Sequence, residues 1–289
     1  MERFGESSGE FLDCFYPGMI HCHNEKGKFP AISITGNLCE LMCLHCKGSL
    51  LINMIDGSNP EKLISILRDL EKDNLGALIS GGCDVEGKLP WEKFLPYLKD
   101  FETRLYLTAH TGMNVDKETA KDLGSVFKQG LIDIIGDKET LMEIYNIGDF
   151  NLYLKTLDNL FTYGPQIVPH IVAGIHYGKI KGEYDAIKLL EKYNPQIVVI
   201  VVIMPYNFKT SPPPIDDVID IFYRAKERFK IVSLGCAKPR GKYRFELEEK
   251  LVNLKLIDRI AIPSDRCIQA AIKNGLKIRK HYMCCSVII

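Results

Sequence analysis

Short apolar segments rich in β-branched residues recur along the chain and alternate with longer segments of helical periodicity. Eight apolar segments follow residue 29, at 30–36, 76–82, 104–112, 131–137, 167–174, 196–205, 230–237 and 259–264. The segments between them, such as PEKLISILRDLEKD and IDDVIDIFYRAKERF, carry apolar residues at steps of three and four, which predicts amphipathic helices. The alternation predicts repeated β-α units and a parallel sheet.

The fold class follows from the character of these strands. Near-continuous apolar strands indicate a sheet covered on both faces, as in a β/α barrel or an open doubly wound sheet. The doubly wound sheet normally carries a glycine-rich phosphate loop after its first strand, where this chain has cysteines. Eight strands therefore favour an α/β fold of the TIM-type (β/α)8 class with parallel strands.

The predicted organisation is a single domain over residues 1–289. It comprises an irregular N-terminal cap at 1–29, the barrel at 30–274, and a C-terminal tail at 275–289 that lies over the barrel mouth. No Pro-, Gly- or Ser-rich linker divides the chain.

Charge and composition exclude several classes of partner. The chain has 289 residues, 46% of them hydrophobic, and 37 Lys and Arg balance 37 Asp and Glu. Such a chain has no net field to recruit nucleic acid or an anionic membrane. Its start, MERFGESSGEFLDCF, lacks the layout of a signal peptide, and no apolar run approaches the ~20 residues of a membrane span. We therefore expect a cytoplasmic protein with no nucleic-acid or membrane partner.

The cysteines carry the strongest chemical signal. In the cytoplasm thiols stay reduced, so the ten cysteines are better read as metal ligands, reactive thiols or packing residues than as disulfides. Three of them, Cys39, Cys43 and Cys46, cluster in GNLCELMCLHCKGS directly after the first predicted strand. A structural zinc site wants four ligands, whereas an iron–sulfur cubane takes one thiolate per iron. Three thiolates leave one iron open to a substrate or cofactor.

Further polar and thiol side chains stand at the C-terminal ends of the predicted strands, where a barrel builds its active site. These residues are Gly81, Gly82, Cys83, His110, Thr111, Asp133, Asp137, His170, His176, Cys236 and Arg240.

Several of these positions have a second interpretation. Asp133 and Asp137 are equally suited to helix capping. His170 and His176 share strand parity, so both point into the substrate cavity or both away from it, and histidines satisfied by backbone groups are common. Arg240 suits a substrate or cofactor carboxylate through its bidentate fork, although basic loop residues are often simply solvated.

The cysteine triplet resembles the signature of the radical S-adenosylmethionine (SAM) superfamily. The resemblance implies a [4Fe–4S] cluster held by Cys39, Cys43 and Cys46. Its open iron would bind the amino and carboxylate groups of SAM and pass it one electron, taken from a donor such as ferredoxin. Cleavage of SAM would then give a 5′-deoxyadenosyl radical.

The same resemblance implies a set of cofactor-binding positions. His45 occupies the place of an aromatic residue that packs near the adenine. Gly81 and Gly82 resemble the Gly-Gly-Glu strand that receives the SAM amino group, with Cys83 in place of the glutamate. Asp133 and Asp137 resemble the polar positions that hold the ribose, and Thr111 is grouped with these cofactor-binding positions.

A narrower resemblance covers residues 15–289. The segments PAISITGNLCELMCLHCKGSLL, VPHIVAGIHYGKIKGEY and LGCAKPRG, with the terminal CCS, are similar to a biotin-synthase-related family that includes one subunit of the archaeal-type two-component lipoyl synthase. It implies sulfur insertion into an octanoyl chain on a lipoyl-carrier protein, with a second radical SAM subunit as partner.

Such enzymes carry an auxiliary [4Fe–4S] cluster as sulfur source. Cys236, Cys284 and Cys285 are its candidate ligands, and Ser286 follows the tail pair as a serine does in one-chain lipoyl synthases. Neighbouring side chains of an extended segment point to opposite faces, so both tail cysteines reach one cluster only if the tail turns. Cys14 and Cys22 could complete the ligand set from the N-terminal cap, where Cys22 lies between His21 and His23, themselves candidate ligands. The favoured interpretation of Cys14, Cys22 and Cys267 is that they are buried packing residues.

Other functions remain open at this stage. One is a radical SAM enzyme of cofactor maturation or carbon-skeleton rearrangement without sulfur transfer. Another is a non-catalytic iron–sulfur protein, and a third is a structural zinc protein.

Overall fold

The computed structural model describes residues 10–18, 27–204 and 210–289. The strands are Phe11–Phe15 (β1), Ala31–Ser33 (β2), Ile55–Asp56 (β3), Gly76–Ser80 (β4), Tyr106–His110 (β5), Gln129–Asp133 (β6), Gln166–Ala173 (β7), Ile197–Val202 (β8), Ile231–Leu234 (β9), Arg259–Ala261 (β10) and Lys277–His281 (β11). The helices are Pro60–Leu70 (α1), Trp91–Lys99 (α2), Lys117–Val126 (α3), Lys138–Tyr145 (α4), Phe150–Tyr163 (α5), Glu183–Glu191 (α6), Ile215–Arg228 (α7), Lys242–Asn253 (α8) and Asp265–Lys273 (α9), with a short 3-10 helix at Ser49–Asn53.

Side-chain caps begin many of the helices. Five capping side chains accept the backbone N–H three residues further on, which satisfies a donor that the helix itself leaves open. These caps are Asn59, Asp116, Asp137, Asp149 and Ser264. The helices then bury one apolar face against the sheet, as α1 does with Leu63 and Leu67.

All the strands pair in parallel within one curled sheet. Its order is β11-β1-β10-β9-β8-β7-β6-β5-β4-β2-β3. The eight predicted strands are present as β2 and β4 to β10, and the predicted parallel sheet is confirmed. The described residues do not form the closed eight-stranded barrel that the sequence predicts. Their sheet has eleven strands and ends at β11 and β3.

The difference lies in the segments predicted to be irregular. Within the predicted N-terminal cap, residues 11–15 form β1, which pairs with β10 on one side and β11 on the other. β1 therefore occupies the place beside β10 that the first strand of a closed barrel would take. The Asp13 carboxylate joins β1 to β11 by accepting hydrogen bonds from Arg279 at 2.7 and 2.9 Å and by contacting His281 at 2.8 Å.

The C-terminal tail also differs from its prediction. After β11 the chain turns back, and Cys285, Ser286 and Val287 are at most 3% exposed. Ser286 and Val287 contact the first residues of β6 and β10, Gln129 and Arg259. These contacts lie at the N-terminal ends of the strands, so residues 286–288 fill the far end of the curled sheet instead of covering its mouth.

Candidate active site

The cysteine triplet lies on a compact loop between β2 and the 3-10 helix. Lys47 N–H donates to the Cys43 carbonyl at 2.8 Å and Cys46 N–H does so at 3.2 Å, which brings Cys43 and Cys46 together. Met42 and Lys47 have left-handed backbones, with φ of 48° and 47°. Non-glycine residues in that region are strained, and such strain collects at functional sites.

Backbone hydrogen bonds fix this loop from two sides. The Cys83 carbonyl, just after β4, accepts Glu40 N–H at 2.8 Å and Leu41 N–H at 3.1 Å. On the other side, Leu44 N–H donates to the carbonyl of Ile144 in α4 at 2.7 Å. The loop is therefore a rigid bridge between the end of β4 and α4.

The glycine pair after β4 makes this approach possible. A Cβ at Gly82 would overlap the Leu38 carbonyl and the Cys39 side chain, and one at Gly81 would lie 2.8 Å from Leu89. Gly82 N–H donates to Thr35 Oγ1 at 2.7 Å. Gly82 and the Cys83 carbonyl thus support the cysteine loop directly, and Gly81 packs against Leu89. These roles are distinct from the contact with a SAM amino group that the family resemblance implies.

Two thiols of the triplet, Cys43 and Cys46, are hydrogen-bonded to each other. Cys43 is 8% exposed, and Cys39 and Cys46 are half-buried. The hydrogen bond from Cys43 lowers the pKa of Cys46 to about 4; burial opposes this shift and His45 adds to it. The same hydrogen bond raises the pKa of Cys43. Thiolates crowded in this way repel one another, and binding to cationic iron removes that repulsion. The donor set therefore fits a three-thiolate iron–sulfur cluster.

Cys83 is a fourth thiol in this neighbourhood. Burial first, and then the charge of Cys39, raises its pKa to about 12. It is therefore a neutral thiol beside the triplet at physiological pH.

His45 connects the triplet to the end of β6. Its ring centroid lies 5.0 Å from that of Tyr145, and the Tyr145 hydroxyl donates to Asp133 Oδ2 at 3.0 Å. Burial lowers the pKa of His45, but its hydrogen bond to Cys46 and the charges of Cys46 and Asp133 raise it more, so the net shift is upward. Its buried Nδ1 has no hydrogen-bond partner among the described residues. This orphaned atom in an aromatic layer fits a heteroaromatic ligand such as adenine.

The two aspartates separate in role. The half-buried Asp133 side chain accepts a hydrogen bond from Tyr145, and desolvation raises the pKa of Asp133. Asp137 caps α4 through Thr140 N–H at 2.9 Å, as in the capping interpretation, although its Oδ2 is buried without a partner among the described residues. Thr111 is fully buried and its hydroxyl bonds to the carbonyls of Gly112 and Leu131.

Two neutral histidines lie on β5 and β7, the strands on either side of β6. His110 Nδ1 is 2.9 Å from Ser80 Oγ, and burial lowers the His110 pKa to about 4. Burial lowers the pKa of His170 to about 3, and the electrostatic effect of nearby His110 contributes to the same shift. His170 Nδ1 donates to the Val168 carbonyl at 3.2 Å, so Nε2 of the neutral ring is an acceptor.

His176 does not join them, and the shared parity predicted for it and His170 is wrong. Strand β7 ends at Ala173, and Gly174 has a φ of 76°, which breaks the alternation. His176 packs against α4 instead, with Nδ1 3.0 Å from Thr140 Oγ1 and Nε2 3.7 Å from Glu139 Oε1.

A second group of thiols comes together from β9 and the tail. Cys236, just after β9, is accessible to solvent, whereas Cys284 is half-buried and Cys285 buried. The hydrogen bond with Cys285 lowers the pKa of Cys284 to about 6; burial opposes this shift and Ser286 adds to it. The same hydrogen bond, together with burial, raises the pKa of Cys285. Burial and then the charge of Cys284 raise the pKa of Cys236, so the three thiols lie in one electrostatic neighbourhood.

The tail makes the turn that this grouping needs. Val287 N–H donates to the Cys284 carbonyl at 3.0 Å, and Cys284 Sγ is 3.0 Å from Ser286 Oγ. The sequence makes the grouping conditional on such a turn, but it does not reveal the buried Lys238. That ammonium donates to the Gly235 and Ala261 carbonyls and contacts Glu248, which is fully buried. A lysine two residues after a strand-end cysteine was the available signal.

The remaining predicted residues are placed as follows. Arg240 is exposed in the loop before α8. Cys14 and Cys267 are fully buried, which confirms them as packing residues, and Cys22 lies outside the described residues. Across the described ranges, the helices include none with the length and apolar character needed to cross a bilayer.

Comparison with known proteins identifies the fold. No protein-family model matches the chain, and no curated protein matches it. Methylornithine synthase (PylB) aligns with a TM-score of 0.52 and 12% identity over 93% of this chain and 83% of its own. SuiB of Streptococcus suis bound to S-adenosylmethionine aligns with a TM-score of 0.55 and 12% identity over 76% of this chain and 52% of its own.

SuiB bound to its precursor peptide SuiA aligns similarly, with a TM-score of 0.52 and 12% identity over 84% of this chain and 52% of its own. The chain thus spans about half the length of SuiB. At these identities the likeness shows a shared fold: the curled parallel sheet of this chain is the fold of these two enzymes.

Proposed function

We propose that the protein is a radical SAM enzyme that inserts sulfur into an octanoyl chain carried by a lipoyl-carrier protein. The observation that carries the proposal is the presence of two separate thiol groups in one fold. Cys39, Cys43 and Cys46 lie on one loop, and Cys236, Cys284 and Cys285 assemble from β9 and the tail.

The first group supports radical generation. When bound there, a [4Fe–4S] cluster with SAM supplies a 5′-deoxyadenosyl radical. Cys39, Cys43 and Cys46 hold the iron, and the left-handed turns and the Cys83 carbonyl keep their loop in place. The SuiB complex with S-adenosylmethionine shows that a protein of this fold binds that ligand.

The surrounding residues orient SAM. His45 offers its orphaned Nδ1 to the adenine, and Tyr145 holds Asp133 toward the ribose. Gly82 has no side chain because the Cys39 loop occupies that space. Asp137 contributes to SAM binding mainly by capping α4, and less by direct contact with SAM.

The wall next to these groups suits a neutral acyl amide. His170 presents an uncharged acceptor, and its register partner on β8 is the buried Val199. Val172 and Val201, two residues further toward the mouth, pair in the same way. Bound SAM would supply the radical that takes hydrogen from one C–H bond of the chain, giving 5′-deoxyadenosine. The auxiliary cluster would supply the sulfide for the C–S bond and accept the one electron left over.

The second group supports the sulfur source. Cys236, Cys284 and Cys285 would hold an auxiliary [4Fe–4S] cluster, with the Ser286 hydroxyl at 3.0 Å from Cys284 as a further oxygen ligand. The electron donor, a ferredoxin-like protein, and a second radical SAM subunit complete the proposed set of partners.

The test is iron and acid-labile sulfide per chain after anaerobic reconstitution. The unaltered protein should hold about eight irons, and the Cys236/Cys284/Cys285→Ala variant about four, with 5′-deoxyadenosine formation retained. About four irons in both proteins would contradict the auxiliary cluster.

A second candidate is cofactor maturation or carbon-skeleton rearrangement without sulfur transfer. The likeness to methylornithine synthase over 83% of that chain favours it. Under this alternative the triple variant still forms product. If neither protein cleaves SAM, a non-catalytic iron–sulfur protein is the remaining interpretation.

A further inference from the structure

The C-terminal tail is held inside the curled sheet by two buried polar side chains. Gln129 is fully buried at the start of β6 and uses both ends of its amide: Nε2 donates to the Ser286 carbonyl at 3.0 Å, and Oε1 accepts Ile288 N–H at 3.3 Å. Arg259 is 4% exposed at the start of β10, and its Nη1 donates to the Val287 carbonyl at 2.7 Å.

These anchors reach the tail from well-separated strands. β6 and β10 have β7, β8 and β9 between them in the sheet. A tail segment that contacts both strands therefore crosses the concave side of the sheet and does not follow one edge. Ser286 and Val287 are 0% and 1% exposed, so water cannot replace either anchor.

The anchored residues are directly joined to the thiols. Val287 N–H closes a turn on the Cys284 carbonyl at 3.0 Å, and Ser286 Oγ lies 3.0 Å from Cys284 Sγ. Any shift of residues 286–288 is therefore transmitted to Cys284. Simple packing of a tail does not require buried glutamine and arginine side chains, since their desolvation is costly unless specific bonds offset it.

We infer that Gln129 and Arg259 are positioning residues that hold the tail so that Cys284 faces Cys236. This deepens the proposed function, and its consequence for sulfur transfer rests on that function. The closeness of the two thiols is itself part of the inference and does not rest on that function, because it can be measured in the chain without any cluster.

The experiment measures this juxtaposition in the cluster-free protein. Dibromobimane bridges neighbouring thiols, and peptide mass spectrometry identifies which cysteines are joined. We expect a Cys236–Cys284 bridge in the unaltered protein and a rate about tenfold lower in Gln129→Met, the effect of losing the two hydrogen bonds from Gln129 to the tail. Gln166→Met is the matched control, since Gln166 pairs with Gln129 in register but is exposed and bonds to Gln196.

A purely structural role would lower the melting temperature without slowing the bridge. An unchanged bridging rate in Gln129→Met, or no bridge in the unaltered protein, overturns the inference. Should Gln129→Met fail to fold, Arg259→Lys is decided by the same measurement: slower bridging supports the inference and an unchanged rate overturns it.

The iron content separates this inference from the proposed function. If the unaltered protein binds about eight irons, Gln129→Met should bind about four and still cleave SAM with dithionite as reductant. If the unaltered protein binds only about four irons, the proposal of an auxiliary cluster is contradicted. The bridging rates still decide whether Gln129 and Arg259 position the tail.

Discussion

The two thiol groups are built in opposite ways. Cys39, Cys43 and Cys46 lie within eight residues, and backbone N–H groups of their loop donate to the carbonyls of Cys83 and Ile144, which hold it in place. Cys236 and Cys284 come from distant parts of the chain, and side chains of Gln129 and Arg259 hold the tail that carries Cys284. A local site tolerates change elsewhere in the fold, whereas an assembled site depends on residues that never contact its ligand.

Removing a thiol of the local site should have the largest effect. Cys43→Ala leaves two thiolates, and we expect loss of the first cluster and no detectable 5′-deoxyadenosine. Iron content and chromatographic assay of 5′-deoxyadenosine check this. Cys267→Ala is the control, because that buried cysteine lies outside both groups; full SAM cleavage by Cys43→Ala would contradict the assignment.

Crowding the local site should come next. A Cβ in Gly82→Ala overlaps the Leu38 carbonyl and the Cys39 side chain, so the loop must shift, at about 1–3 kcal/mol of unfolding free energy. We expect weaker cluster binding and a lower denaturant midpoint. Gly148→Ala, where a Cβ meets nothing within 4 Å, should change neither. Equal behaviour of the two variants would contradict close packing at Gly82.

The link from the triplet to β6 should matter less. Tyr145→Phe removes the hydrogen bond to Asp133, and we expect SAM to bind about 2- to 10-fold more weakly, as for one bond of about 0.5–1.5 kcal/mol. Equilibrium dialysis measures the affinity. Tyr97→Phe, which loses only an exposed bond to Glu61, should bind SAM normally. Unchanged affinity in Tyr145→Phe would remove Asp133 from the SAM site.

The smallest effect concerns pH. His110 and His170 have pKa values lowered to about 4 and about 3, below the unfolded value of about 6.5. The unfolded chain therefore binds more protons, so the stability from neutral burial is present above pH ~6.5 and is lost as the pH falls toward 4 and 3. His170→Gln should flatten the fall of the denaturant midpoint between pH 7 and 5. An equally steep fall would show that other groups cause it.

The sequence predicts the local site far better than the assembled one. Spacing alone identifies the triplet, and β-branched runs identify the eight central strands. Strand β11, KIRKH, has charges at nearly every position and becomes a strand only because Arg279 and His281 meet Asp13 of β1. Likewise, Gln129 looks like an ordinary polar start of a strand, and its partner Ser286 lies 157 positions away.

Errors within the site have equally local causes. The shared parity of His170 and His176 failed because one left-handed glycine, Gly174, ends the alternation of β7. Asp137 caps α4, in agreement with the capping interpretation, because α4 begins directly after it. A period of two holds only while the strand lasts, and His176 lies beyond both the predicted segment 167–174 and the observed end of β7 at Ala173.

The pairing of the first and last strands bears on how the protein is made. Asp13 and Arg279 are 266 positions apart, so β1 waits for β10 and β11 to leave the ribosome, roughly 13–50 s at about 5–20 residues per second. The triplet loop and its support on β4 and α4 emerge much earlier. The nascent chain can thus complete the triplet loop well before the tail brings in Cys284, which under the proposed function sets an order for metal loading during synthesis.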